Sequence, residues 1–332
     1  MTRRVTSADV ARMAGVSRAT VSYVLNDTPR QTISEGTRGR VLSAAAALGY
    51  APSAAARTLR TGRSDVVLCL LPDWPIGDEV GALLSHLSSA FARRGLTFVV
   101  HPASRDDRPI AEVWKALTPA AVLAFGDLSD LTEEEIAAMR AAGVAPVVPL
   151  AGGSSAARGE LDPAQQLVGR LQARHLAGLG HERLGYAYPD DERLRFFADP
   201  RLAGVRAGCA EAGLAEPAVV TVPLSAAGGA EAVRAWRAAG VTAVCAYNDE
   251  VALAVLAGVR RAGLTAPGDL AVIGVDDIPV ARLADPPLTT VTTDQAAVAA
   301  HLAVSVVDAL AGRPPAGDRA ADAVRVVSRE SA

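Results

Sequence analysis

The sequence predicts an all-α helix-turn-helix head followed by a two-lobed α/β body built on parallel sheets. Three observations predict it. The first 27 residues contain two short amphipathic segments parted by a glycine. From Asp65 onward, short apolar runs alternate with helical stretches, and that alternation occurs in two successive series.

Read from Val5, the chain runs VTSADVARMAGVSRATVSYVLND. Ser7 is expected to cap a short helix through Met13 and Ala14, and Gly15 ends it because glycine readily adopts positive φ. Ser17 then caps a second helix running to about Asn26. Val21, Val24 and Leu25 fall three and four apart on one face and should pack inward. Arg18, Ala19, Ser22 and Tyr23 are left outward, as on a recognition helix that meets base edges in the major groove. Other small three-helix caps show two amphipathic helices and a glycine turn, so charge has to discriminate. Residues 1–63 carry ten arginines against Asp9, Asp27 and Glu35, a net of +7. The whole chain is −3, which leaves −10 for residues 64–332. A basic head on an acidic body is the footprint of phosphate contacts confined to one end. The expected partner is duplex DNA.

A third helix is expected from about Ser34 to Leu48, closed by Gly49, with Val41, Leu42, Ala45 and Leu48 inward. Pro52 interrupts, and Ser53 to Thr61 would form a helix of only about two turns, marginal in water without a partner. It is expected either to order on DNA or against a symmetry mate, or to serve as a loose linker. In the body, VVLCLL (66–71), LTFVVH, AAVLAF and APVVPL read as strands, with a helix near 79–94 after the first of them. RLGYAYP, PAVVTVP, AVCAYND and LAVIGVDD form the second series. Ligands of such sheets bind beyond the carboxyl ends of the strands, so a cleft between two facing lobes is the expected pocket.

Composition narrows the function classes. Half of the 332 residues are hydrophobic, ample for more than one core. Cys69, Cys209 and Cys245 are odd in number and unpaired in spacing, which suits small buried residues in a reducing cytosol. MTRRVTSADV lacks the apolar stretch of a secretion signal, and no run approaches the roughly 20 apolar residues that span a bilayer. A cytoplasmic protein without a membrane partner is expected. His86, His101, His175, His181 and His301 are scattered, and the six-residue spacing in HLAGLGH does not put two rings on one helix face as a metal pair needs. There is no lysine-bearing phosphate loop and no serine elbow. The expectation is therefore no enzyme, no cofactor and no metal. Lys115 is the one lysine, a bias expected of a high-GC genome.

These features together resemble the LacI/GalR family of bacterial transcription regulators, nearly end to end. The head carries the motif above and then TRGRVLSAAAALGYAPSAAARTLRTGRS. The distal half carries RLAGVRAGCAEAGL, TAVCAYNDEVALAVLAGVRRAGL and GDLAVIGVDDIPVARLADPPLTTV, in order. The resemblance implies a helix-turn-helix DNA-binding domain (1–50), a hinge helix and linker (51–63), and a type I periplasmic-binding-protein-like effector and dimerisation domain (64–332). Its proximal lobe would take about 64–160 and 291–318, and its distal lobe about 161–290 and 319–332. Arg18, Ala19 and Tyr23 match positions that read bases, while Thr20 and Ser22 lie near the backbone. Tyr23 stands where arginine is frequent, so the operator preference should differ. Asn26, Ser53 and Ala56 complete the DNA-facing set. Leu59 matches the hinge leucine that wedges into the minor groove, where its unstacking cost is offset by the contacts of bent DNA. Leu59 packed against the body is the plainer alternative. A homodimer on a near-palindromic operator follows from two-fold symmetry. The chain ends at VRVVSRESA without heptads, so a coiled-coil tetramer is not expected.

For the effector, the resemblance implies contacts from Arg201, Asn248 and Asp276, a donor–acceptor set suited to a polyol. Trp74 in PDWPIG would stack on a sugar face or plug the cleft. Asp249 would instead cap the helix starting near Glu250. The proximal half departs from the pattern: Leu150 and Ala151 stand where a carboxylate is frequent, and Ala164 where an aspartate is. The expected function is a repressor of carbohydrate-related genes controlled by a sugar-like effector. A corepressor-dependent, purine-sensing regulator or an effector-independent one is the alternative. A sugar-modifying enzyme would need paired carboxylates about 5–10 Å apart.

Overall fold

The computed structural model describes residues 5–25, 33–50, 64–102, 110–125, 133–149, 158–313 and 323–332. Two compact units make up the chain, Met1–Ser64 and Asp65–Ala332.

In the first unit, α1 (Ser7–Ala14) and α2 (Arg18–Leu25) are joined through Gly15, which takes a φ of +66°. Thr6, not Ser7, caps α1. Its backbone N–H and hydroxyl both donate to the Asp9 carboxylate, at 3.0 and 2.7 Å, a reciprocal cap that Ser7 is one residue too late to make. Ser17 caps α2 by accepting from the Thr20 N–H at 3.1 Å. Ser34 accepts from the Thr37 N–H and starts α3 (Glu35–Ala47). Val10, Ala14, Val21, Val24, Val41, Ala44 and Ala45 form one small core, with Leu25 and Leu48 half-buried at its edge. Leu42 does not join the stripe expected of it and is 49% exposed. It lies about 100° around the helix from Val41, whereas Ala44, Ala45 and Leu48 repeat at the three-and-four spacing that returns to one face.

The second unit is built on two sheets. The first has the order β2-β1-β3-β4, from β1 (Val66–Leu71), β2 (Thr97–Pro102), β3 (Ala121–Ala124) and β4 (Ala145–Pro149), all parallel. The second has the order β10-β9-β8-β7-β5-β6. It comprises β5 (Leu184–Pro189), β6 (Ala218–Val222), β7 (Ala243–Ala246), β8 (Ala271–Val275), β9 (Thr289–Thr293) and the antiparallel edge β10 (Val324–Val327). A strand buried on both faces explains the unbroken apolar reading of VVLCLL. Val67, Cys69 and Leu71 face Leu87 and Phe91 of α4 (Asp78–Ala92). The alternate Leu68 and Leu70 face Trp114 of α5 (Ile110–Leu117) and Met139 of α6 (Glu133–Ala141). The last helix, α11 (Gln295–Leu310), packs on α4 beside the first sheet before the chain returns to the second as β10.

Around the second sheet lie α7 (Arg158–Gly178), α8 (Arg195–Glu211), α9 (Ala226–Ala238) and α10 (Asp249–Arg261). Helices α7 and α8 touch backbone to backbone. A Cβ on Gly169 would stand 1.9 Å from the carbonyl oxygen of Arg201, and one on Gly204 would stand 1.9 Å from that of Gln166. Gln172, fully buried on α7, donates to the carbonyls of Ala246, Ile273 and Gly274 and so ties the helix to the ends of β7 and β8. Strands β9 and β10 escape the sequence reading: TTVTT is polar and VRVV is a four-residue edge. Thr289, Thr290 and Val291 are nonetheless buried, because the two threonine hydroxyls find partners inside, in the Ala332 carbonyl and the Asp249 carboxylate.

Candidate functional site

Two places concentrate polar side chains that the core does not require. The first is the outward face of α2. Arg18 and Ala19 are exposed, Tyr23 is 36% exposed, and Thr20 and Ser22 are half-buried. The Thr20 hydroxyl hydrogen-bonds that of Ser17 at 2.9 Å, which fixes the start of the helix. At 100° per residue, positions 18, 19, 22 and 23 span about 140°, one continuous face opposite Val21 and Val24. Asn26, Ser53, Ala56 and Leu59, with the whole hinge segment 51–63, lie outside the described residues.

The second is a cavity of about 230 Å³ at the carboxyl ends of both sheets in the second unit. The first-sheet side contributes Trp74, Glu79 and Phe125, and the segment after β9 contributes Gln295. The other side contributes Gln165, Phe197, Arg201, Asn248 and Asp276. Arg201 projects from α8 at its tightest contact with α7. Its guanidinium donates to Gln165 Oε1 at 2.7 Å and to the Tyr247 carbonyl at 2.8 Å, and it stands 3.6 Å from Asp276. It also lies over the Tyr247 ring at 4.9 Å. Four fixed contacts leave this arginine little rotamer freedom.

Asp276 directly follows β8 with a φ of +110° and Asp277 comes next at +53°, two non-glycine residues in strained backbone. The conformation is over-determined. The Asp276 N–H donates to Val291 at 2.7 Å, and Asp277 is ion-paired with Arg329, which also donates to the Leu288 carbonyl. Burial raises the Asp276 carboxyl to about 6, with Arg201 pulling it back down. Asn248 caps α10 by accepting from the Val251 N–H at 3.0 Å, so its amide NH₂ is the part left to meet a ligand. Asp249 is therefore not the cap. Its carboxylate is wholly buried, accepts from the Thr290 hydroxyl at 2.6 Å and the Ile278 N–H at 3.0 Å, and braces the turn after β8.

Trp74 is 9% exposed and sits against three other rings. Phe196 stacks on it at 5.4 Å, Phe197 is tilted against it at 4.7 Å, and Phe125 meets it edge-on at 6.1 Å. With the Asp73–Arg193 ion pair at 3.6 Å, these rings form a clasp across the cleft. Trp74 thus both lines the cavity and bridges its walls. Glu79 and Gln295 were not anticipated. Glu79 reads as an ordinary first-turn acid of α4, and Gln295 as the first residue of α11. The Gln295 amide donates to the Glu79 carboxyl, and burial raises that carboxyl from its usual 4.5 to about 8. Leu150 and Ala151 lie outside the described residues.

Among the described residues no group of three or more His, Cys, Asp or Glu is arranged to hold a metal, and no helix is long and apolar enough to cross a membrane. All three cysteines are buried, and burial pushes the Cys69 thiol up to about 12.

Residues 6–53 match the profile of bacterial regulatory proteins of the lacI family, and residues 173–332 that of a periplasmic binding protein-like domain. The HTH-type transcriptional regulator MalR of Streptomyces coelicolor is 30% identical over 322 residues, 92% of this chain and 90% of its own. The chain belongs to the LacI family. Its architecture as a LacI-family protein is shared by the lac repressor dimer bound to operator and the anti-inducer ONPF, with a TM-score of 0.77 at 23% identity over 99% of both chains. A CelR–cellobiose complex gives a TM-score of 0.63 at 26% identity, over 99% of this chain and all of the other. This LacI-family chain is a DNA-binding transcription regulator, as its relatives are, rather than an enzyme.

Proposed function

We propose that this regulator is a cytoplasmic homodimeric repressor of carbohydrate-related genes, released from or locked onto a near-palindromic operator by a sugar-like effector in the cleft. The observation that carries the proposal is the fixed constellation of Arg201, Asp276 and Asn248 facing Glu79 across an aromatic-walled cavity. Ring faces cover the apolar side of a sugar, while carboxylates and amides exchange hydrogen bonds with its hydroxyls. That the structural relative CelR forms a complex with cellobiose supports a sugar as the effector. On the DNA side, Arg18 supplies a fork for guanine O6 and N7, and Ala19 a methyl for thymine. Coupling between the two sites works through lobe orientation and is of the order of 1–3 kcal/mol in typical allosteric systems.

The test has two stages. Duplexes selected from random sequence by the purified protein give the operator. Its affinity is then measured by fluorescence anisotropy with and without sugars, and again for Arg201→Ala. A salt-sensitive preference for one palindrome, altered by a sugar in the wild type but not in the variant, is expected. Equal affinity for all duplexes refutes the repressor reading. The aromatic clasp favours one other reading, an effector-independent regulator whose cleft is already closed; a sugar response of zero across the panel supports it.

A further inference from the structure

The cavity is electrically unbalanced. Its lining includes four carboxyl groups, Asp78, Glu79, Glu250 and Asp276, and among the described residues Arg201 is its one cation. The charge of Arg201 is already shared. Its guanidinium donates to Gln165 and the Tyr247 carbonyl and stands 3.6 Å from the Asp276 carboxylate, which leaves N–H groups for a neutral hydroxyl but no uncompensated charge. An anionic ligand would find no cation that is not already paired with a carboxylate. It would meet Asp78 and Glu250, exposed at the mouth, and Glu79 within.

Glu79 is the group whose pairing is incomplete. Its hydrogen-bond partner is the neutral amide of Gln295. The charged and titratable groups that act on it from the surrounding elements are Asp276 directly after β8, Arg201 on α8 and Asp249 on α10. Two of these are carboxyls, and the arginine is compensated by one of them. A half-buried carboxyl so placed is held neutral by its surroundings until a cation arrives. The aromatic walls add to the same preference, because the rings of Trp74, Phe125 and Phe197 attract an ammonium group more than a hydroxyl.

We propose that the effector is an amino polyol, a sugar-like molecule whose ammonium group sits against Glu79 while its hydroxyls meet Asp276, Asn248 and Arg201. The inference rests on reading the cleft as the effector site. It has a protonic consequence. The Glu79 carboxyl, raised to about 8, carries its proton at neutral pH and must release it when an ammonium binds. Affinity for the ammonium form therefore rises as pH increases toward that value. A neutral sugar, which can accept from the protonated carboxyl, gains nothing from the same change.

The experiment is calorimetric titration of the full chain with hexosamines, the parent hexoses, their N-acetyl derivatives, hexuronates and putrescine. Titrations are run near neutral pH in two buffers of different ionisation enthalpy. At least about a tenfold preference for a hexosamine over its parent hexose is expected, with buffer-dependent heat reporting proton release. Glu79→Gln should abolish both the preference and the proton release, and Glu79→Asp should retain part of each. A purely structural Glu79 would leave the released proton in place. A neutral hexose binding as tightly as the hexosamine, and lost on Arg201→Ala, overturns the ammonium assignment while the cleft reading stands. Sugar binding indifferent to both Glu79→Gln and Arg201→Ala overturns the cleft reading as well. Preference for putrescine, or no heat from any hexosamine, also overturns the proposal.

Discussion

Glu79→Gln, made without any ligand, tests the electrostatics of the cleft through the stability of the fold. Glutamine is close in shape to the protonated glutamic acid and cannot ionise. Below about pH 4.5 the side chain is neutral folded or unfolded, and the two proteins should be about equally stable. Above that, the unfolded chain releases the Glu79 proton while the folded chain holds it up to about pH 8. The folded carboxyl is raised, so its contribution is complete at low pH and is lost as pH rises through that window. The interval from 4.5 to about 8 corresponds to roughly 5 kcal/mol at 1.36 kcal/mol per pH unit. Water reaches part of this carboxyl, which reduces the effect to about 2 kcal/mol. Urea denaturation of both proteins between about pH 5 and about pH 9 measures it, and taking the difference cancels the groups that do not act on Glu79. The variant should become progressively more stable than the wild type, by about 2 kcal/mol at the alkaline end, or roughly 4–8 °C in Tm. Parallel curves across the whole range would refute the reasoning and return Glu79 to the solvent.

Arg18→Ala should weaken operator binding by about 1–3 kcal/mol and relax preference at one base position; a uniform loss over all sequences, read by duplex selection, reassigns Arg18 to phosphate. Gly169→Ala places a methyl 1.9 Å from the Arg201 carbonyl oxygen and should cost about 3 kcal/mol in denaturation while weakening effector binding; wild-type behaviour in both assays would disprove the contact. Trp74→Ala removes a ring packed against three others and should cost about 3 kcal/mol, seen as an earlier urea midpoint; an unchanged midpoint would mean that the clasp does not hold the cleft walls together.

The fold was legible in the sequence because local chemistry repeated its global plan. VVLCLL and LAVIGVDD read as strands and contain β1 and β8, and Gly15, Ser17 and Ser34 punctuated the head. The failures are of two kinds, a local one at the first cap and long-range ones elsewhere. Ser7 lost the cap to Thr6 because the reciprocal partner is Asp9, three residues on from Thr6. TTVTT gave no strand signal because its buried hydroxyls find partners about 40 residues away, in Asp249 and Ala332. Of the cleft, Arg201, Asn248 and Asp276 were visible through resemblance and Glu79 was not. An acid at the start of a helix is usual there, and nothing in DEVGALL says that burial and two other carboxyls surround it.

The placement of Arg201 shows how little of such a site depends on the site itself. Its guanidinium is fixed by Gln165, Tyr247 and Asp276, and Gln165 lies on α7 while Arg201 lies on α8. The separation of those helices is set one turn away, where Gly169 and Gly204 allow backbone to meet backbone. Side-chain packing would tolerate a shift of several tenths of an ångström at modest cost, but a backbone contact with no Cβ between has no rotamers to absorb it. The same helix presents Phe196 and Phe197 to Trp74. A displacement of α8 by a ligand pulling on Arg201 would therefore reach the clasp directly, through one rigid element rather than a chain of side chains. That is the physical route by which occupancy of the cavity can change how its two walls are held.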